Sequence, residues 1–300
     1  MRDHEPESGG IQEIHLTLNA SDGHLLAATL YEPAAPHATV QINGATGVPR
    51  RYYRAYARYL AQHGYAVLCY DYRGIGDSRW HAATRSQIRM RYWGERDLSF
   101  MLQWLKARHP QVPLYAIGHS AGGQMLGLAP NNHLVDAALA IASQSGHWRL
   151  WPTRLQPVMA ALWYGVLPVS VFALGKVPAA VMGSELPGGV AREWARWCRN
   201  PHYISDERGR PLREHFDAYR GRMRFYAIAD DAFYAPLAAV RELAGFYRNA
   251  QTEVRVLDGG AFGLRRVGHF GFFRRDAQAL WPETLDWLRG AAAPSLSLAA

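Results

Sequence analysis

One serine of the chain lies in a pattern typical of a catalytic nucleophile. The sequence GHSAG at residues 118–122 matches G-x-S-x-G; an apolar segment (114–117) precedes it and a helical segment (121–128) follows it. A sharp turn between a strand and a helix lifts a serine oxygen clear of the sheet, and small neighbours let other segments approach closely. The same turn directs the Ala121 N–H toward the position where an oxyanion develops. We therefore predict that Ser120 is a nucleophile. The turn residues beside it are Gly118, His119 and Gly122.

A serine hydroxyl needs a base, and only one histidine, His269, follows residue 215. It lies between the last predicted strand and the last predicted helix, at the sheet edge where such loops gather. Two adjacent carboxylates, Asp230 and Asp231, follow a predicted strand and are the candidates for the acid that orients the imidazole. Asp231 is preferred. Asp230 is the second choice, with the loop backbone as its alternative partner, and Asp258 ranks third.

A second oxyanion donor is expected in the loop NGATG at residues 43–47, which follows a short apolar strand. The Ala45 N–H is the first choice and the Thr46 N–H the second. A simple turn before the next helix is the alternative interpretation of this loop.

Strands and helices alternate around these residues. The predicted strands span residues 11–18, 25–31, 38–42, 65–70, 114–117, 137–142, 223–228 and 253–257. The predicted helices span residues 51–62, 94–109, 121–128, 237–247 and 276–288. Helices placed between strands in this way favour βαβ units and a largely parallel sheet.

The alternation stops at residue 147 and resumes after residue 216. We call residues 147–216 the insert; it is rich in proline and holds five of the ten tryptophans. The predicted core comprises residues 11–146 and 217–290. The terminal segments 1–10 and 291–300 are expected to be disordered tails.

Together, these motifs resemble those of α/β-hydrolases, in particular the serine aminopeptidase S33 and monoglyceride-lipase-like branch of bacterial hydrolases. The similarity rests on NGATG (43–47), YDYRGIGDS (70–78), GHSAGG (118–123), IADD (228–231) and VGHFG (267–271). Asn43-Gly44 departs from the His-Gly that the family usually has at this point.

The resemblance implies the α/β-hydrolase fold: a mostly parallel sheet with helices on both faces and a helical cap, here the insert, after the sixth strand. It implies cleavage of a carboxylic ester through an acyl-enzyme on Ser120, with His269 as base and Asp231 as acid. The residues after Asp231 resemble the usual surroundings of this acid. The resemblance implies no metal or organic cofactor, and a scaffold role for Arg73 and Asp77.

Composition excludes several other classes. The net charge is +8, but the 33 basic residues are scattered, so no nucleic-acid partner is expected. Cys69 and Cys198 are too few for a disulfide framework or a zinc site.

The start of the chain lacks the apolar region of a secretory signal, which favours a cytoplasmic enzyme. The uncharged stretch 155–175 contains two prolines and two glycines, and we expect a buried or substrate-facing segment rather than a transmembrane span.

The expected partner is a small-molecule ester with an apolar part, and a homodimer is left open. Two alternatives remain for the function. The same acyl-enzyme serves an acyltransferase or perhydrolase if another nucleophile replaces water. A ligand-binding protein that kept the fold without catalysis is the alternative from a different class.

Overall fold

A computed structural model describes residues 10–79 and 87–292. Within these residues, eight strands form one mixed sheet in the order β1-β2-β4-β3-β5-β6-β9-β10. The strands β1 and β4 pair antiparallel with β2, and all other neighbours are parallel. The strands are β1 (Gln12–Asn19), β2 (Leu25–Glu32), β3 (Ala38–Asn43), β4 (Tyr65–Tyr70), β5 (Leu114–His119), β6 (Ala137–Ile141), β9 (Arg222–Ile228) and β10 (Gln251–Leu257). The mostly parallel sheet expected from the sequence is confirmed.

The central strands are the apolar runs of the sequence. Every residue of β3, β4, β5 and β6 is buried, which is typical of parallel strands with both faces covered. The outer strand β10 is largely exposed. The helices outside the insert are α1 (Arg54–Gln62), α2 (Ser99–Arg108), α3 (Ala121–Met125), α9 (Leu237–Ala244), α10 (Gly268–Gly271) and α11 (Trp281–Ala292).

The last helix differs from the predicted 276–288. A 3₁₀ segment, Arg275–Leu280, comes first, and α11 then runs from Trp281 to Ala292. Pro282 explains the shift, because proline lacks an N–H and is favoured in the first turn of a helix. The predicted tail 291–300 therefore begins inside this helix; its other residues, and the predicted tail 1–10 apart from Gly10, lie outside the described residues.

The insert joins the ends of β6 and β9. It contains α4 (Gln156–Ala160), α5 (Leu167–Leu174), α6 (Ala179–Met182), α7 (Gly188–Arg199) and α8 (Glu214–Ala218). Two short antiparallel strands, β7 (Lys176–Val177) and β8 (Leu186–Pro187), form a separate sheet that the sequence did not predict.

One continuous helical stretch of the insert, Thr153–Leu174, is long and apolar enough to cross a membrane, with a mean hydropathy of 1.8. Only 22% of its most apolar window is buried inside the protein. Of the two expectations for this stretch, burial is therefore wrong for most of its side chains, and a substrate-facing role stays a prediction. A π-helical turn, Ala161–Val166, connects α4 and α5 within the stretch.

The turn after β4 is an ion-pair cluster. The buried Arg73 guanidinium pairs with Asp97 at 2.6 Å and with Asp22 at 2.7 Å. Burial raises the pKa of the Asp97 carboxyl to about 6, although the charge of Arg73 opposes this. Arg50 binds both Asp71 and Asp77. These contacts tie the turn to neighbouring segments, as a scaffold role requires.

Candidate active site

Ser120 lies at the turn between β5 and α3 in a strained backbone conformation. Its φ is +52° and its ψ is −114°, a region that side-chain-bearing residues rarely adopt. Its N–H donates to the carbonyl oxygen of Ile141 at 3.0 Å, which fixes the turn to β6. A Cβ on Gly122 would collide with the carbonyl oxygen of Asn43, and one on Gly118 with the backbone of Gly123. The small residues of the motif are therefore needed where segments approach most closely.

The structure brings together His269 and Asp231, which are 38 positions apart in the sequence. The His269 Nδ1 and Asp231 Oδ2 atoms are 2.6 Å apart, and the two side chains are 4% and 2% exposed. Asp231 Oδ1 also accepts the N–H of Tyr234 at 3.2 Å. The Tyr234 ring stacks on the imidazole, with 4.9 Å between centroids. Both oxygens of Asp231 thus have partners, and the imidazole plane is held from one side.

The neighbouring carboxylate, Asp230, binds the backbone instead. Its Oδ2 accepts the Val267 N–H at 3.0 Å and its Oδ1 the Gly268 N–H at 2.8 Å. The third candidate, Asp258, accepts the Gly260 N–H at 2.9 Å and caps a short turn. The structure therefore gives the three carboxylates different partners, and only Asp231 contacts the imidazole.

A buried chain of hydrogen bonds connects three segments of the site. The Ala45 N–H donates to Tyr53 Oη at 2.8 Å, and Tyr53 Oη lies 3.0 Å from His119 Nδ1. His119 Nε2 lies 2.9 Å from the carbonyl oxygen of His269. Because a carbonyl oxygen only accepts, Nε2 carries the proton, and Nδ1 of a neutral ring accepts the proton of the Tyr53 hydroxyl.

Burial keeps the Tyr53 and His119 side chains of this hydrogen-bond chain uncharged. Burial, and secondarily the charge of His269, lowers the pKa of His119 from 6.5 to about 3. Burial likewise raises the pKa of Tyr53 well above 10. The hydrogen bonds of the Tyr53 and His119 side chains connect the turn at Ser120, the 43–47 loop and the His269 loop. These three segments are therefore fixed relative to one another.

The 43–47 loop differs from expectation at Ala45. The Ala45 N–H, predicted as an oxyanion donor, already has the Tyr53 hydroxyl as acceptor. The Thr46 N–H has no hydrogen-bond partner among the described residues. The loop closes a turn in which the Val48 N–H donates to the carbonyl oxygen of Ala45 at 3.1 Å. Gly47 has a φ of +76°, and a Cβ there would collide with Ser184 of the insert.

Sequence reasoning missed two tyrosines that hold the site. Tyr53 ends a 3₁₀ turn, Arg50–Tyr53, just before α1, so helical spacing from α1 does not reveal its direction. Tyr52 donates its hydroxyl proton to the carbonyl oxygen of Phe270, next to His269. No local motif marks either residue, because His119 and Phe270, which they contact, lie 66 and 218 positions away.

A cavity of about 480 Å³ borders His269 and Asp231. Aromatic side chains of Phe233, Tyr234 and Phe270 line it, together with the exposed Arg266 and Arg274. Ser120 does not line this cavity and is 8% exposed.

The sheet order, the turn between β5 and α3 and the loops after β9 and β10 can be compared with known proteins. The sequence pattern of the family described as serine aminopeptidase, S33, matches residues 34–181. The matched segment is just under half of the chain, and the described residues have the α/β-hydrolase fold. This confirms the fold expected from the motifs, and the matched pattern is that of the family the motifs resemble.

Two solved structures of esterases share this α/β-hydrolase fold. A highly thermostable carboxyl esterase from Bacillus coagulans, in complex with glycerol, is 13% identical with a TM-score of 0.64, covering 94% of this chain and 99% of that one. An esterase of Pyrococcus furiosus is 14% identical with a TM-score of 0.59, covering 98% of this chain and 96% of that one.

A curated relative matches a shorter segment. Lysophosphatidylserine lipase ABHD12 of Danio rerio is 40% identical over 63 residues, which is 21% of this chain and 15% of that protein. The matched segment thus spans less than a sixth of the relative's length.

Proposed function

We propose that the chain is a serine hydrolase that cleaves a carboxylic ester through an acyl-enzyme on Ser120. The observation that carries the proposal is the buried Asp231–His269 hydrogen bond, whose histidine loop is tied to the residue preceding Ser120. A carboxylate on Nδ1 fixes the imidazole with Nε2 available as a base, which is the arrangement that activates a serine.

The reaction then proceeds in two halves. Ser120 Oγ attacks the ester carbonyl carbon while His269 Nε2 takes the hydroxyl proton, and Asp231 stabilises the resulting imidazolium. The tetrahedral intermediate collapses as the C–O bond to the alcohol breaks and His269 returns the proton to that oxygen. Water, deprotonated by His269, attacks the acyl-enzyme in the same way and releases the acid.

Two backbone amides are assigned to the oxyanion. The Ala121 N–H follows the nucleophile directly, where this turn aims a donor. For the second donor we favour the Thr46 N–H over the Ala45 N–H, because Ala45 already donates to Tyr53. A free amide costs no broken hydrogen bond when the oxyanion forms.

The substrate class follows from the surroundings and the relatives. We propose that the insert is the cap over the core formed by residues 11–146 and 217–290, and that its apolar side chains accept an apolar acyl or alcohol group. The esterases with this fold and the lipase with a similar segment support an ester substrate. Both cysteines are buried and unpaired, which fits the proposed cytoplasmic location.

Hydrolysis of p-nitrophenyl butyrate by the wild type, Ser120→Ala and Ser145→Ala tests this proposal. Ser145 is a matched control because it is buried like Ser120, follows the end of the neighbouring strand β6, and has a hydroxyl with no hydrogen-bond partner among the described residues. We expect Ser120→Ala to lose at least about 10,000-fold in kcat and Ser145→Ala to keep the wild-type rate. Full activity of Ser120→Ala would overturn the proposal, and inactivity of the folded wild type would overturn its ester part.

A further inference from the structure

The helical stretch Thr153–Leu174 presents an apolar face to solvent. We call this the exposed face; it comprises Val158, Tyr164, Val166, Val169, Phe172 and Leu174. Phe172 is 93% exposed and Val169 64% exposed. Val169 and Phe172 are three positions apart in α5 and therefore lie on the same side of that helix. Proteins rarely expose so many large apolar side chains together unless the surface binds something.

The opposite side of the same stretch is already used. Met159, Trp163, Leu167 and Val171 are buried against the rest of the protein. The helical stretch is therefore already packed against the protein on one side, and the other side is exposed to solvent.

Within residues 147–184, which contain the stretch, every Arg, Lys, Asp or Glu present is basic. From residue 147 to residue 184 the charged residues are Arg149, Arg154 and Lys176, and there is no carboxylate. Arg149 and Arg154 are exposed at the start of the stretch. Lys176 follows its end, and pairs with Glu185 at 2.6 Å. An apolar helix with arginines at its border suits a lipid surface whose headgroups carry negative charge.

We propose that the exposed face docks on an anionic lipid bilayer, with the stretch Thr153–Leu174 lying along the membrane surface. A second copy of the chain fits less well. In a symmetric dimer the same surface faces itself, and residues 147–184 offer no carboxylate to pair with Arg149 and Arg154 across the axis. A transmembrane span fits less well too, because it would pull Trp163 and Leu167 out of their buried contacts.

Docking in this orientation also places the candidate active site close to the membrane. Trp151 lies two residues before the stretch begins. It donates its Nε1–H to the carbonyl oxygen of Phe233 at 2.6 Å. Phe233 and Tyr234 are each 46% exposed, and the Tyr234 ring stacks on His269. The start of the stretch and the His269 loop are therefore neighbours, so docking brings the candidate site to the lipid surface.

Co-sedimentation with vesicles tests the proposal without any turnover. The vesicles are made of ether-linked phosphatidylcholine, alone or in equal mixture with ether-linked phosphatidylglycerol, so that they contain no cleavable carboxylic ester. We expect the wild type to sediment with the anionic vesicles. A double variant, Val169→Ser with Phe172→Ser, should bind at least about tenfold more weakly, because it removes two apolar side chains from the lipid contact. Arg149→Gln with Arg154→Gln should weaken binding severalfold and reduce its salt dependence.

Val256→Ser is the matched control, since Val256 is 48% exposed on the edge strand β10, far from the insert in the sequence. It should bind like the wild type, and all variants should keep the wild-type unfolding temperature. Absence of wild-type binding to anionic vesicles overturns the proposal. So does a wild-type dimer that the Val169/Phe172 variant dissociates without any vesicle binding, or binding that resists both high salt and alkaline washing, as a span would.

Discussion

The His269 loop and the stretch Thr153–Leu174 are both connected to the candidate site, and they are held by different forces. In the loop, the backbone of residues 267–270 is bound at four points, by Asp230 twice, by His119 and by Tyr52. In the helical stretch, a row of buried apolar side chains holds one side, and the side chains of the other side are exposed to solvent. Hydrogen bonds are directional, whereas apolar contacts are not. The loop is thus built to fix atoms, and the helical stretch to offer a surface.

The largest expected effect concerns the two adjacent carboxylates of the loop. Asp231→Asn should reduce kcat by about 10,000-fold, because an amide in place of the carboxylate favours the wrong imidazole tautomer. Asp230→Asn should reduce kcat about tenfold or less, because it weakens bonds to the backbone without touching the imidazole. Steady-state kinetics with the same ester for both variants measures the difference. Equal losses would mean that the two carboxylates do not have separate roles.

His119 should make stability depend on pH. Its pKa in the fold, about 3, lies below the ordinary 6.5, so the unfolded chain binds the extra proton between these values. Its contribution is fully present above about pH 6.5 and is lost as the pH falls toward 3. By pH 5 the wild type should lose about 2 kcal/mol of unfolding free energy through this group.

His119→Gln provides the comparison, because glutamine does not titrate in this range. Urea unfolding at pH 7 and pH 5 should show a steeper loss for the wild type than for the variant. Parallel losses would show that His119 is not held neutral by burial.

Tyr53→Phe tests the buried hydrogen-bond chain. The variant leaves the Ala45 N–H without its acceptor and His119 Nδ1 without its donor, and each such loss costs about 1–3 kcal/mol. If Thr46 supplies the oxyanion donor, the loosened loop should lower kcat about tenfold with little change in KM. A faster variant would instead indicate that Ala45 is the donor and that Tyr53 competes for it.

The smallest effect is expected on the exposed face. Val169→Ser and Phe172→Ser should each change the free energy of unfolding by less than about 0.5 kcal/mol, as is usual for surface positions. Urea unfolding at pH 7 measures this, with Leu167→Ser on the buried side of the same stretch as the contrast. A large loss from Phe172→Ser would mean that its side chain is packed rather than exposed.

The same contrast explains what the sequence could predict. The sheet was predictable because its central strands are unbroken apolar runs and the turn after β5 carries a dense glycine pattern. The order of Ser120, Asp231 and His269 could be proposed because each follows a strand, and parallel strands bring those ends together.

The rest depended on contacts between distant segments. The Tyr53 hydroxyl that accepts the Ala45 N–H also contacts His119, 66 positions away, and this distant contact leaves no local signal that the Ala45 N–H is already bound. The helical stretch 153–174 has the same composition whether it is buried or exposed. Only the packing of its neighbours determines which side is free, and the sequence does not specify that packing locally.

The most direct test of the central claim, that Ser120 is activated by His269 and Asp231, is intact-mass analysis after treatment with a fluorophosphonate. Such a probe reacts with an activated serine and ignores ordinary ones. We predict one adduct on the wild type and none on Ser120→Ala or His269→Ala under the same conditions. An adduct that persists on Ser120→Ala, or a folded wild type that forms none, would contradict the account.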